Sequence, residues 1–596
     1  MDSFTPSCKR SESSHACVGR FTRPYLFEII RELRRHHRNA FIRFVSDFLR
    51  ANRGLRRLSL HFDMKNKAQY RRIVDRWISR AAKAGVNELE LVPWHWRRAY
   101  EFPWRLLANG RGSFFTRLKL GRCRLGRHYD FRRLSSISRL YLADVNISQE
   151  IVIDILRDCK SLESLTLESC SSNATISIAP PELQLRELVV YFCFEITSIE
   201  LSAPKLRRLQ YYGDSALLSF KSVPCLEHVW LSYCTSDVAK YTFESLLPEL
   251  PRVSDLVLDF RRLEVVEFDE AKASFPFSGL KDLTVNVFTT YKDDLIWIAA
   301  LLEAAPFLEK LQTFKKASEV RTGNEGGGIL WQPTNGFQHR HLRDVRMHDF
   351  EGSDVEIAFA RFLTERAVVL RSLVLTGDCI YPGKSFAPKL RRLQYSGFSA
   401  QFLFKSVPCL EHVSLRYASS NSAKYIFENL LCELAHVSDL VLDFTSHEHL
   451  MKPRLCSPFS NLKDLTVDVF TTRRDKLIWL AAVLEAAPFL EKLQTTVTTV
   501  GSIDHAGNGG GISWQRSNGF QHHHLMDVKM HHFEGSDFEI AFARFLLEKA
   551  VVLSVCHGRR WTEKEKSHLL EQLTAGIASS ARIIFSVVEK VVPYVL

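Results

Sequence analysis

The stretch Leu162-Glu163-Ser164-Leu165-Thr166-Leu167-Glu168-Ser169-Cys170 decides how the rest of the chain is read. Side chains on a strand alternate between faces, so Leu165 and Leu167 share one face. Ser164, Thr166 and Glu168 fall on the other, outward face, and with Glu163, the x position next to Leu162, they are the surface candidates. In a chain that is 46% hydrophobic, three apolar positions match this pattern by chance at about one site in ten, so spacing and flanks carry the argument. Related patterns at Ile137-Leu140-Leu142, Leu185-Leu188-Val190, Leu206-Leu209-Tyr211 and Leu226-Val229-Leu231 start 25, 23, 21 and 20 residues apart, counting through Leu162. A cysteine stands three residues after the last apolar position at Cys123, Cys170, Cys193 and Cys234. Proline stands two residues before the pattern at Pro204, Pro224, Pro251, Pro306, Pro388, Pro408 and Pro488. Proline cannot continue a helix and biases its predecessor to extended backbone, so it closes one unit and opens the next strand.

The pattern extends upstream to Leu55-Leu58-Leu60, Val86-Leu89-Leu91 and Phe115-Leu118-Leu120. Downstream it runs through Val253-Leu256-Leu258, Leu280-Leu283-Val285, Leu342-Val345-Met347 and Leu370-Leu373-Leu375 to Leu525-Val528-Met530. Between the strands, amphipathic helices are expected at Ile151, Ile155 and Leu156, at Leu295–Ala305 after Asp293 and Asp294, and at Ile357, Phe359, Phe362 and Leu363. A strand and a helix in 20–35 residues cannot bury their own apolar faces, whereas stacked neighbours can. A period of 20–29 residues with a terminal cysteine is that of leucine-rich repeats. The expected fold is therefore α/β, a leucine-rich-repeat solenoid in the form of a curved β-α horseshoe.

A longer repeat lies above the short one. Ala203–Phe260 aligns without gaps to Ala387–Phe444, with 42 of 58 positions identical, and Ser278–Leu370 matches Ser460–Leu553 with small gaps. Identity extends to polar residues such as Lys205, Arg207 and Arg208 against Lys389, Arg391 and Arg392. Packing alone would preserve only the apolar pattern, so the C-terminal half is read as a tandem duplication. The expected organisation is an N-terminal extension at 1–40 and N-terminal repeats at 41–202. The two copies follow at 203–386 and 387–555, then C-terminal capping helices at 556–596.

The 596 residues carry a net charge of +13, which permits attraction to anionic partners but speaks to association rather than fold. Thirteen cysteines include no C-x-x-C pair, so a zinc site of the usual spacing is not written here. The first twenty residues lack the apolar core of a signal peptide. The apolar run around Leu295–Leu308 is broken by Glu303 and Pro306, so no membrane span is expected. An intracellular location, cytoplasmic or nuclear, follows as the expectation.

Several motifs mimic chemistry. Gly326–Gly328 and Gly509–Gly511 lack the Gly-Lys-Ser/Thr of a phosphate loop. His522–His524 with His531 and His532 could suggest metal, yet the first copy reads His339-Arg340-His341 and His348-Asp349 there. Adjacent histidines on a strand point to opposite faces. Arg559-Arg560-Trp561 opens like a Myb-type helix without its further tryptophans, which favours a terminal cap. No catalytic signature stands out, so no enzyme and no cofactor are expected. The arginines Arg31, Arg34, Arg35, Arg38, Arg43, Arg50, Arg53, Arg56 and Arg57 cluster beside the apolar Phe41, Phe44, Val45, Phe48 and Leu49. They read as the solvated face of a helix, with nucleic-acid binding as the less favoured alternative.

The stretch His341–Leu370, with Phe350-Glu351-Gly352 and Glu356, and its second copy with Phe533-Glu534-Gly535 and Glu539, resembles the FBD motif of plant F-box/leucine-rich-repeat proteins. Phe41–Leu60, followed by Val74-Asp75-Arg76-Trp77-Ile78 and Asn87–Leu91, resembles the region just after the F-box in that family. The resemblance implies a substrate-recognition solenoid that binds an unidentified protein on its concave strand face. In the family an F-box engages a Skp-type adaptor of a cullin ubiquitin ligase. Residues 1–40 lack the F-box order, so the expectation is a non-enzymatic protein-interaction scaffold. A ligase substrate receptor and a basic nucleic-acid-associated protein are the alternatives.

Overall fold

In a computed structural model, the described residues are 26–31, 38–52, 54–63, 68–94, 100–107, 115–126, 129–171, 175–179, 183–214, 216–235, 241–250, 252–263, 277–289, 296–317, 337–350, 354–377, 380–384, 389–397, 399–403, 407–417, 433–444, 459–471, 478–499, 522, 524–533, 535, 537–547, 551–557, 562–575 and 582–587. The chain divides into two units, Met1–Leu226 and Glu227–Leu596.

In the first unit, parallel strands follow one another as Leu26–Arg31, Arg57–Asp63, Glu88–Trp94, Arg117–Gly121, Arg139–Ala143, Ser164–Glu168, Glu187–Tyr191 and Arg208–Gly213. From Leu26–Arg31 onward each pairs in register with the next. Each strand is entered through a shared acceptor. Arg186 and Glu187 both donate their N–H groups to Glu163 O, at 2.8 and 2.9 Å, and Ser138 and Arg139 do the same to Thr116 O. The apolar positions of the repeat, from Leu55, Leu58 and Leu60 to Leu206, Leu209 and Tyr211, are all buried and form the core. The prolines act as expected: Leu206 N donates to Ala203 O at 3.0 Å, closing a turn with Pro204 in its second place.

The return segments depart from the sequence reading. Helices occupy Arg38–Ala51, Ala68–Lys83 and Gln149–Asp158, whereas among the described residues the other returns hold only 3-10 turns and short strands. Ile176–Ile178, Ser198–Ser202 and Leu217–Ser222 form their own parallel sheet. Strand spans ~3.3 Å per residue against 1.5 Å for helix, so repeats near 20 residues cover the return with extended chain, while longer ones have room for helix. In Gln149–Asp158, capped by the Ser148 side chain, Val152, Ile155 and Leu156 are buried, so Val152 and not Ile151 completes the apolar stripe. The N-terminal arginines do not lie on one helix. Arg31 belongs to a strand, Arg38, Arg43 and Arg50 to the helix, and Arg57 to the next strand. Phe41, Val45 and Leu49 are buried there, whereas Phe44 is exposed.

In the second unit the parallel series runs from His228–Tyr233 through Asp255–Leu263, Asp282–Thr289, Lys310–Ala317, Asp344–His348 and Ser372–Thr376. It then repeats as Arg392–Gly397, His412–Tyr417, Asp439–Phe444, Asp464–Thr471, Lys492–Thr499, Asp527–His531 and Val552–His557. Helices Ile296–Ala304, Asp354–Arg366, Ile478–Ala486 and Asp537–Leu547 fall at corresponding places in the two copies. At the C-terminal end one helix is described, Glu563–Thr574, with a capping box between Thr562 and Glu565. In place of the further capping helix expected from sequence, Arg582–Val587 adds a strand parallel to Val552–His557, because its alternating Ile583 and Phe585 suit a strand. Trp561 and both glycine runs lie outside the described residues.

Candidate functional site

Parallel strands in register set equivalent positions in rows, and the outward face of the first unit carries three rows. The opening row is Arg57, Glu88, Arg117, Arg139, Ser164, Glu187 and Arg208. Arg57 and Arg117 approach Glu88 at 3.7 and 3.6 Å, and Arg208 approaches Glu187 at 3.9 Å. Such long, exposed pairs neutralise little. Arg139 stands next to Arg117 in the row. Among the described residues neither it nor the exposed Arg186 and Arg207 has an acidic partner. Ser164, one of the outward candidates, is buried and donates its hydroxyl to Glu187 at 2.8 Å.

The middle row contains Ser59, Glu90, Lys119, Tyr141 and Thr166. The Glu90 carboxylate lies 3.0 Å from His61 Nε2, accepts from Lys119 Nζ at 2.9 Å and from the Ser59 hydroxyl at 2.8 Å. The His61 bond leads in holding this carboxyl far below the usual range, with Lys119 and Ser59 adding to it against the opposing effect of burial. Lys119 also sits over the Tyr141 ring, 4.5 Å from its centre, and the Tyr141 hydroxyl donates to Glu168. Burial first, and then that carboxylate, pushes the phenol above its ordinary value.

The third row runs His61, Val92, Gly121, Ala143, Glu168, Tyr191 and Tyr212. Small Gly121 and Ala143 leave a pocket of about 410 Å³ bordered by His61, Val92, Lys119, Arg122 and Glu168. Beyond Glu168 the row turns aromatic. Tyr191 stacks on Tyr212 with centres 5.9 Å apart, Phe192 meets Tyr212 at 4.4 Å, and Phe194 meets Phe192 at 5.9 Å. Phe192 and Phe194 are 41% and 51% exposed. Phe192 has φ +52°, as Arg122, Asp144 and Ser169 have left-handed backbone at the same place in earlier repeats. That conformation turns the chain off the sheet while its N–H still reaches the next strand, Phe192 N donating to Tyr212 O at 2.8 Å.

The cysteines singled out by spacing sit beneath this corner. Cys123, Cys170 and Cys193 are buried, and their thiols donate to Gly121 O at 3.1 Å, Leu142 O at 3.4 Å and Tyr191 O at 3.3 Å. Their role is to satisfy carbonyls at the turn. Cys234, in the second unit, is half-buried.

In the second unit the two copies can be compared row by row. The first inward row is identical: Val229, Leu256, Leu283, Leu311 and Val345 against Val413, Leu440, Leu465, Leu493 and Val528. They part at two outward places, the third strand position, with Trp230 against Ser414 and Arg346 against Lys529, and the fifth, with Ser232 against Arg416, Asn286 against Asp468 and Phe314 against Thr496. Ser232 donates to Asp259 at 2.8 Å, whereas Arg416 pairs with Asp443 at 2.5 Å. His339 and His522 are buried and bond Ala305 O and Ala487 O at 2.9 and 2.7 Å, a shared packing role, with desolvation lowering the His339 pKa. Among the described residues no group of three His, Cys, Asp or Glu side chains is placed to hold a metal. No helix of the described residues is long and apolar enough to cross a membrane.

Among the described residues five strands of the parallel series escaped the sequence pattern: Leu26–Arg31, Lys310–Ala317, Lys492–Thr499, Val552–His557 and Arg582–Val587. Lys310–Ala317 and Lys492–Thr499 bury Leu308, Leu311 and Thr313, and Leu490, Leu493 and Thr495, with threonine in the third apolar place. Pro306 and Pro488 were the signals that marked them.

The repeat rows agree with a family profile described as the At1g61320/AtMIF1 LRR domain, which matches residues 49–385 and again 383–557. The chain belongs to that leucine-rich-repeat domain family. Curated Arabidopsis thaliana proteins similar to it include a putative F-box/LRR-repeat protein, At3g18150, 24% identical over 59% of this chain and 78% of its own length. An F-box/FBD/LRR-repeat protein, At1g13570, is 21% identical over 61% of this chain and 83% of its own. An internalin structure from Listeria monocytogenes covers 56% of this chain and 87% of its own, at 12% identity and a TM-score of 0.29. The family profile and the curated relatives bear out the leucine-rich-repeat fold and the likeness to plant F-box/FBD/LRR proteins read from sequence. The FBD-like stretch takes the expected form, a strand at Asp344–His348, buried Phe350, and a helix at Asp354–Arg366, repeated at Asp527–His531, Phe533 and Asp537–Leu547.

Proposed function

We propose that this chain is a non-enzymatic protein-interaction scaffold that reads its partner with the outward face of the parallel strands. The observation that carries the proposal is the divergence of the two copies: the inward row is unchanged, while the third and fifth strand positions, both outward, differ at several strands. Selection for packing alone would hold the core and leave the outward rows to vary alike. Yet the first outward position keeps His228, Asp255, Asp282, Lys310 and Asp344 as His412, Asp439, Asp464, Lys492 and Asp527. Change kept to the third and fifth outward positions, with the inward ones held, is what altered recognition requires. The same reading takes 203–386 and 387–555 as two display segments, flanked by repeats at 41–202. An intracellular setting is supported by the free state of every described cysteine, which suits a reducing compartment.

The experiment is affinity purification of the full chain followed by cross-linking mass spectrometry. The proposal requires protein partners whose cross-links fall on the outward rows. Cross-links confined to the helical returns would contradict it. A second reading, substrate receptor of a cullin-type ubiquitin ligase, is favoured by the F-box in the names of the curated relatives. A Skp-type adaptor among the captured proteins would support it.

A further inference from the structure

The outward face of the first unit is chemically graded along its strands. Its opening edge carries arginine: Arg117 and Arg139 adjacent in the row, with the exposed Arg186 two strands further on and Arg207 and Arg208 three. Its closing edge carries the exposed Phe192 and Phe194 braced by Tyr191 and Tyr212. Arg208 and Tyr212 stand four residues apart on one strand, so the two edges are separated by ~13 Å. From this geometry we infer, building on the scaffold reading above, that the face binds an acidic protein segment. Carboxylates of that segment meet Arg117, Arg139 and Arg208, and one of its aromatic or large aliphatic side chains packs on Phe192 and Phe194.

Charge complementarity selects the occupant. Adjacent arginines on neighbouring strands repel each other, and Arg139, Arg186 and Arg207 lack acidic partners among the described residues, so bound carboxylates remove a standing repulsion. Guanidinium groups pair with carboxylates bidentately, and exposed aromatics beside them supply the desolvated anchor that such contacts need. A polyphosphate backbone fits less well. Glu88, Glu163 and Glu187 lie among the arginines and would repel it, whereas a protein segment offers N–H groups and cations to those same carboxylates.

The test is selection of a random peptide library on the full chain, with a single-stranded RNA oligonucleotide assayed in parallel. Selected peptides should be rich in Asp and Glu and carry one aromatic or large aliphatic residue. Their binding should weaken roughly tenfold or more in Arg117→Glu/Arg139→Glu and in Phe194→Ser, with unchanged circular dichroism. Peptides enriched without acidic character, or indifferent to both variants, would overturn the inference and leave the scaffold reading standing. Failure to enrich any peptide, with no partner in the cross-linking experiment, would remove both. RNA bound more tightly than any peptide, through the same arginines, would overturn the inference in favour of nucleic acid.

Discussion

Tyr141 donates its hydroxyl to the Glu168 carboxylate across one step of the first unit's sheet, joining the middle outward row to the third. Lys119 covers the ring on its other side, so the tyrosine is held by a cation on its face and an anion at its tip. Tyr141→Phe keeps the ring and removes only the donor. It should cost about 1–2 kcal/mol in urea unfolding. The phenol's raised pKa means the folded state favours its neutral form. This contribution is therefore whole below the unfolded value of 10.0 and is lost as pH rises through the folded one. A stability gap between wild type and Tyr141→Phe that persists unchanged well above that value would contradict the assignment.

Glu90 behaves with the opposite sign. Its carboxyl is depressed by His61, Lys119 and Ser59, so its stabilising effect is present above the unfolded value of 4.5 and fades as pH falls toward the folded one. The Tm difference between wild type and Glu90→Gln should be constant near neutrality and shrink below about pH 4.5. A difference that grows on acidification would show that the cluster is not held by a carboxylate.

Thiol chemistry should follow burial. Cys159 is buried, and desolvation pushes its thiol up to about 12, while Cys225 and Cys409 are exposed in the turns after Pro224 and Pro408. Brief treatment of the folded chain with iodoacetamide should modify Cys225 and Cys409 and spare Cys123, Cys159, Cys170 and Cys193. Early labelling of Cys170 or Cys193 would mean that the corner beneath Phe192 is open.

Glycine positions divide by what surrounds them. A Cβ on Gly377 would fall 2.3 Å from Phe350 N and 2.4 Å from its O, both backbone atoms that cannot move aside. Gly85, at φ +76°, has nothing within 4 Å. Gly377→Ala should therefore cost about 2–3 kcal/mol, by overpacking. Gly85→Ala should cost only the left-handed strain of about 1 kcal/mol. Denaturation midpoints that rank the two the other way would refute the close approach of Gly377 to the Phe350 turn.

The apolar rows were legible because Leu162, Leu165, Leu167 and their counterparts repeat at a spacing that only stacking can use. Lys310–Ala317 was marked by Pro306 but escaped the pattern, because Thr313 is a buried polar residue in an apolar place. The return segments were misjudged where short repeats substitute extended chain for helix, as at Ser198–Ser202, since periodicity there is too brief to separate the two. The candidate face was least legible. Glu168 was named from sequence, but its neighbours Tyr141, Tyr191 and Tyr212 come from three other repeats, and the left-handed turn that exposes Phe192 has no glycine to announce it.

The central claim is that each repeat packs only on its neighbours and that corresponding strands of the two copies are interchangeable. Deleting Ala203–Phe386 joins Ser202 to Ala387 and offers Arg392–Gly397 to Glu187–Tyr191 in place of Arg208–Gly213. Leu390, Leu393 and Tyr395 stand where Leu206, Leu209 and Tyr211 stood. The most direct measurement is thermal unfolding of this deletion by circular dichroism, beside one shifted by about ten residues at one end only. The account predicts a soluble protein with helix and strand fractions close to the parent and a cooperative transition for the in-phase deletion, and misfolding for the shifted one. Equal aggregation of both would contradict it.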